Sequence, residues 1–321
     1  MYIYAETAFH HEGDINYLKR LVSAVARTGC QGIKFQVLPS AADFISSRHS
    51  QYSSLASYCL NMSQWDEVFS HTSAEGLEIV LMPLSLEALT LADQHEVRFL
   101  DVHSVSFYDE RLLEAIQVRD EKIILGIGGR TNEEIEQFYK RFQNRLKVLM
   151  LGFQSFPSKL SEIRLGRIAD LKRTYSDLEI GYADHSGYDE EDAVRSNEYA
   201  SLLGATFFEK HVTLDEGVKR VDYESAVGIE RFKLIIERLN FVKKNIVDGS
   251  SVSMFPSERK YRDREAKLVA SRDIKSGETF SLNNLALKMT DMEAPYSRYD
   301  QVLGKTAHSD IMKDSPITNL D

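Results

Sequence analysis

At 321 residues the chain is too long for one small module and suits one large domain with an appendage. Its 27% charged and 43% hydrophobic residues are ordinary globular composition, and a core of this size needs neither disulfides nor a structural metal. With 39 basic against 49 acidic residues the formal charge is −10, which excludes an overall basic field for nucleic acid or an anionic membrane but leaves room for a local basic pocket.

The opening, MYIYAETAFHHEGD, has no basic segment followed by an apolar run, so no signal peptide is expected. No stretch approaches the roughly 18 apolar residues of a membrane span. Cys30 and Cys59 are too few for a disulfide scaffold and lack zinc-site spacing. The expectation is a soluble, cytoplasmic protein.

In chain order, short apolar runs alternate with amphipathic stretches. The runs are Tyr2 to Glu6, Gly32 to Gln36, Glu78 to Met82, Arg98 to Val102, Lys122 to Ile127, Lys147 to Gly152, Glu179 to Asp184 and Phe207 to His211. Each is too short for a helix and most are rich in β-formers, as buried parallel strands should be. Between them, Ile15, Leu18, Val22 and Val25 share one helical stripe. Thr131 with Glu134 spells a capping box, Glu191 to Leu203 reads as a helix stopped by Gly204, and Gly228 to Val247 supplies the last helix. Eight strand–helix units over roughly 250 residues predict a (β/α)8 TIM barrel; an open doubly wound sheet competes, but no GxGxxG opens the first helix. The barrel is expected over 1–247, a polar linker over 248–265, and a small, mostly-β domain over 266–321, with a turn at Lys275-Ser276-Gly277.

Active sites of such barrels gather at the C-terminal strand ends. That rule selects Glu6, Lys34 and Gln36, then Asp101, His103 and Ser104, then Asp184 and His185, and finally Glu209, Lys210 and His211. His185 and His211 close neighbouring strands and can converge on one ion; two imidazoles completed by oxygens suit Mn²⁺, Fe²⁺ or Co²⁺ better than closed tetrahedral zinc. The alternative is that each caps its strand through a hydrogen bond. Lys34 lies inside an apolar strand, where it needs an anion: a bound phosphate or carboxylate, or an internal salt bridge. The stretch Gly126 to Gly129 before Arg130 could cradle an anion through its backbone, or simply turn.

Several fragments together resemble the sialic acid synthase (N-acetylneuraminate synthase) family. They are AETAFHHEGD at the start, KFQ at Lys34 to Gln36, ADHS at Ala183 to Ser186 and EKHVTLD at Glu209 to Asp215. LVASRDIKSGE and VLGKTAHSDI in the tail resemble that family's antifreeze-like SAF domain. The resemblance implies condensation of phosphoenolpyruvate with an N-acylated amino sugar to a sialic-acid-like 2-keto acid, in surface-glycan biosynthesis. It implies a divalent ion, Mn²⁺ before Mg²⁺ or Co²⁺, held by His185 and His211. Glu6 would orient the attacking water and Lys34 and Ser104 would bind the donor. Gln36 and Asp222 would contact the sugar, and Gln154 stands where the family has an asparagine. It also implies a domain-swapped homodimer in which the tail, through Lys288 near the family's arginine position, completes the partner's site.

The departures concentrate on the phosphate side. The family's STPF is Leu81-Met82-Pro83-Leu84, its KIGS is Asp101-Val102-His103-Ser104, its LSTG is Leu125-Gly126-Ile127-Gly128, and Ala183 replaces a serine. A carboxylate thus stands where a phosphate-binding lysine belongs. The alternatives are therefore the same metal-assisted aldol-type chemistry with another donor or acceptor, or a sugar-binding paralogue that has lost catalysis.

Overall fold

The structure is a computed structural model that describes residues 1–152, 155, 157–247 and 253–318. The chain divides into two compact units, 1–249 and 250–321.

In the first unit eight parallel strands follow one another around a closed barrel: β1 (Tyr2–Glu6), β2 (Gly32–Val37), β3 (Glu78–Pro83), β4 (Val97–Val102), β5 (Lys122–Gly126), β6 (Leu146–Leu151), β7 (Glu179–Asp184) and β8 (Phe207–Thr213). Pairing of β1 with β8, Tyr2 opposite Phe207 through Glu6 opposite His211, closes the ring. A two-residue β9 (Val227–Gly228) pairs in parallel with the end of β8, Val227 opposite Val212. The predicted TIM barrel is the observed fold.

Alternation along each strand sorts its residues into two cores. Outward residues such as Ile3, Ile33, Phe35, Leu81, Leu100 and Phe208 join the layer beneath the helices. Inward residues Tyr4, Val80, Phe99, Ile124, Val148, Met150 and Phe207 fill the barrel, with Tyr2 packed against them. Gly152 must be glycine: its φ is +129°, and a Cβ there would sit 2.2 Å from the Ala183 carbonyl oxygen.

The helices form where the sequence asks for them. The first, Ile15–Val25, is capped by Asp14, whose carboxylate accepts from the Asn16 and Tyr17 amides, and it buries Leu18, Leu21, Val22 and Val25. Asn132–Phe142 opens on the predicted capping box, both bonds present. Asp192–Leu202 ends before Gly204, whose φ is +105°. The last predicted helix is α over Ile229–Val242 and loosens to a π turn over Lys243–Val247. Among the described residues no helix is long and apolar enough to cross a membrane.

The second unit holds an antiparallel pair, β10 (Lys267–Ala270) and β11 (Leu285–Lys288), over a core of Leu268, Ile274, Phe280, Leu285, Val302 and Ile317. The turn at Lys275 is present: the Glu278 amide donates to the Lys275 carbonyl, and Gly277 has φ +84°. The segment expected as a linker contains a helix, Pro256–Arg262, with proline at its first position and Glu258 accepting from the Phe255 amide. Its sequence has no apolar stripe to announce it.

Candidate metal and substrate site

Above the apolar filling, inward positions of β1, β2, β4 and β8 carry charge, beside the uncharged Gly126, Met150 and Ala183. Lys34 reaches Glu6 Oε2 at 3.0 Å, Asp101 Oδ2 at 3.0 Å and Glu209 Oε2 at 2.8 Å, and all four residues are buried. Of the two readings open for Lys34, the internal salt bridge is what the structure shows. Buried ions cost several kcal/mol each unless paired, so one ammonium shared by three carboxylates leaves a cluster that is negative overall. Burial opposes the ammonium, but the charges of Asp101 and Glu209 overcome it and hold Lys34 above its ordinary pKa. Burial pushes Asp101 up to about 6 against the pull of Lys34. Glu209 is also disfavoured by burial, yet Lys34 and the Tyr4 hydroxyl, which donates at 2.7 Å, bring it below the ordinary range.

Glu6 is fixed by every neighbour it has. Its Oε1 accepts from Gln36 Nε2 at 2.9 Å and from the Ala8 amide at 3.1 Å, while Oε2 faces Lys34. It is fully buried rather than an exposed strand end.

Towards the mouth, His185, Glu209 and His211 bring one donor atom each to within 4.8 Å of one another, and the two imidazole centroids are 4.9 Å apart. His185 Nδ1 lies 3.1 Å from the Ala183 carbonyl, which fixes that nitrogen as the N–H and leaves the lone pair on Nε2, the atom that could meet a metal ion. Burial lowers His185 to about 4, and burial together with the charge of His185 holds His211 well below its ordinary value, so both rings are neutral at pH 7 and keep a lone pair. Two imidazoles and a carboxylate on a barrel mouth fit a divalent ion of the Mn²⁺ or Fe²⁺ kind.

The site opens into a cavity of about 230 Å³ lined by Gln36, Met82, Leu84, His103, His185, His211 and Asp222, among others. Asp222 reaches it from the loop after β8, in the left-handed region at φ 61°. The loop after β1 holds it there. His10 bonds to the Val221 carbonyl at 2.7 Å and to Thr213 Oγ1 at 2.8 Å, and Glu12 accepts from the Val221 amide at 3.0 Å. Burial, then the charge of Glu224, raises Asp222 from 3.8 to about 6. A raised carboxylate contributes stability when protonated and loses it as pH climbs through the folded value. Asp222→Asn is therefore expected to remove a loss of stability between about pH 4 and 6. Urea melts of both proteins at pH 4 and 7 check this; a parallel pH dependence would contradict it.

Ser104 follows β4 in a 3-10 turn, and its carbonyl accepts from Arg130 Nη2 at 2.9 Å. Gln154 lies outside the described residues. Lys288 lies on β11 of the second unit and pairs with Asp314. Two participants escaped the sequence reading as such. Glu209 was named at a strand end, but its part as third donor follows from alternation, because Glu209 and His211 are two apart on β8. The pairing of Asp101 with Lys34 could not be read from spacing.

A closed β/α barrel with an imidazole–imidazole–carboxylate set at its mouth defines a metal-capable barrel. The match to known families agrees: the NeuB family covers residues 21–251 and the SAF domain residues 266–321. The chain belongs to the NeuB family. It is 25% identical to the N,N'-diacetyllegionaminic acid synthase of Campylobacter jejuni, over 98% of each chain. It is 24% identical to a pseudaminic acid synthase of the same species, over 97% of this chain and 93% of the relative. In fold it is similar to a Chromobacterium violaceum protein assigned as spore coat polysaccharide biosynthesis protein E, with TM-score 0.88 and 21% identity over the whole of both chains. It is also similar to the N-acetylneuraminic acid synthetase of Leptospira borgpetersenii, with TM-score 0.73 and 23% identity over 82% of this chain and 91% of that one.

Proposed function

We propose that the chain is a metal-dependent nonulosonate synthase, condensing phosphoenolpyruvate with an N-acylated amino sugar in the cytoplasm for surface-glycan biosynthesis. The observation that carries this reading is the convergence of His185, Glu209 and His211 beside a rigidly held Glu6. A bound divalent ion would polarise the sugar aldehyde. The enol carbon of the donor forms the new carbon–carbon bond and the aldehyde oxygen takes a proton. Water then adds at the electron-poor C2, one of its protons passing by way of Glu6 to the aldehyde oxygen, and breaking the C2–O bond to phosphate, which takes the other proton, leaves the 2-keto group. Glu6, anchored by Gln36 and the Ala8 amide, orients that water and receives its proton. Gln36 and Asp222 contact the sugar, Ser104 and Gln154 the donor.

A specific observation favours a second reading. Lys34, the donor-binding lysine of the resemblance, already meets three carboxylates. The same chemistry with a donor other than phosphoenolpyruvate follows if Asp101 keeps that seat. Incubating the Mn²⁺-loaded protein with phosphoenolpyruvate and a panel of N-acyl amino sugars should release phosphate with one of them; consumption of the sugar without phosphate release would move the assignment to the second reading.

The SAF tail is proposed to complete the partner's site in a domain-swapped homodimer. Mixing chains with only His211→Ala and chains with only Lys288→Ala should restore activity above either parent, because the heterodimer gathers both lesions in one site. No gain on mixing would place each tail on its own barrel.

A further inference from the structure

Between the ends of β4, β5 and β6 lies a second cavity, about 550 Å³, lined by Ser104, Gly128, Gly129, Arg130, Arg164 and Arg167 with Glu162 and Ile163. Three guanidiniums around one cleft stand out in a chain of net charge −10. Arg130 is answered by Glu134 at 3.3 Å and stacks on Phe107, its guanidinium carbon 4.5 Å from the ring centroid. Arg167 meets only the neutral Asn132 side chain, at 3.1 Å, and among the described residues neither Arg164 nor Arg167 has a carboxylate partner. The lining carboxylate, Glu162, accepts from Ser155 Oγ at 3.3 Å. Gly129, at φ +70°, leaves its backbone bare to the cleft, since a Cβ there would meet nothing within 4 Å.

The cleft shares a wall with the candidate site. Ser104 and Gly128 also line the small cavity bounded by Lys34, Asp101, His185 and Glu209. Arg130 holds the Ser104 carbonyl at 2.9 Å, tying the wall of one to the wall of the other. Deep in the barrel, by contrast, the lysine that could meet an anion is taken, and the surrounding carboxylates repel one.

From this we infer that the arginine cleft is a phosphomonoester subsite, where Arg164 and Arg167, with Arg130 behind them, grip the phosphate of a substrate whose reacting end passes Ser104 towards the metal ligands. Guanidinium forks match phosphate oxygens in pairs, and a dianion answers the two unpaired cations. The inference rests on the proposed function only for the direction in which the ligand points. The phosphate can belong to the enol donor or to a phosphorylated amino sugar, and separate arms tell these apart.

The test is calorimetric titration of the full-length protein with inorganic phosphate, phosphoenolpyruvate, pyruvate and N-acetylhexosamine 6-phosphate, each alone so that no turnover is needed. The phosphate probes should bind and pyruvate should not, with affinity falling as salt rises. Arg164→Glu and Arg167→Glu should each weaken phosphate binding at least tenfold while leaving the melting temperature and Mn²⁺ binding unchanged. Tighter binding of phosphoenolpyruvate than of the sugar phosphate assigns the subsite to the donor, and the reverse order to the acceptor. Pyruvate binding as tightly as phosphoenolpyruvate, no binding of any phosphate probe, or affinities untouched by both charge reversals would overturn the inference. Because binding alone is read, an inactive protein that still grips phosphate through these arginines would sink the synthase reading and leave the subsite standing.

Discussion

Replacing His185 or His211 by alanine is expected to lower Mn²⁺ affinity by at least about 100-fold, since even partners that only orient a ligand are worth roughly 10–100-fold. Glu209→Gln should act in the same direction, because its carboxylate is the third donor of the set. The barrel should stay folded in the histidine variants: both rings lie on the inward face at the mouth, above the aromatic and aliphatic filling around Tyr4, Phe99 and Phe207. Calorimetry with Mn²⁺, read beside far-ultraviolet circular dichroism, checks both parts. Unchanged affinity in the two histidine variants would refute the metal assignment whatever became of activity.

Asp101→Asn should strengthen phosphoenolpyruvate binding. The substitution keeps the side chain's shape and removes one of the three charges competing for Lys34. A unit charge at about 4 Å is worth roughly 4 kcal/mol at an effective dielectric of 20, before screening. With solvent and ions in the open cavity, a gain of about 10- to 100-fold is the expected result. Asp101→Lys should exceed it by adding a cation. Tight binding by the unaltered protein that worsens in both variants would show a pocket built around the aspartate. Failure of all three forms to bind would favour another donor.

Much of this was readable from the amino acids, for identifiable reasons. Buried parallel strands write themselves as short apolar runs, so all eight barrel strands are found with ends within two residues of expectation. Caps are local, so Thr131 with Glu134 was legible as well. The strand-end rule brought Glu6, Lys34, His185 and His211 into view, and the structure sets them side by side. What sequence could not supply was the distance across the barrel. Lys34 and Asp101 are 67 positions apart, and nothing in either strand says that one answers the other. Arg164 and Arg167 likewise carry no motif of their own, and only the folded loops after β5 and β6 bring them to one cleft. The helix at Pro256–Arg262 escaped because its only signals are proline and Glu258, with no periodic apolar face.

The alternation along β8 sets a rule for what the chain can tolerate. Phe207, Glu209 and His211 face the lumen, whereas Phe208 and Val212 serve the outer core and Lys210 reaches back to Asp184 at 3.0 Å. A single residue inserted or lost inside this strand would exchange the two sets at once. Lys210 would then confront Lys34, the Glu209 carboxylate would be turned into the helix layer, and the charged cluster and the packing would fail together. Length changes should therefore be confined to the loops, and a strand of seven residues carries its chemistry as a matter of parity.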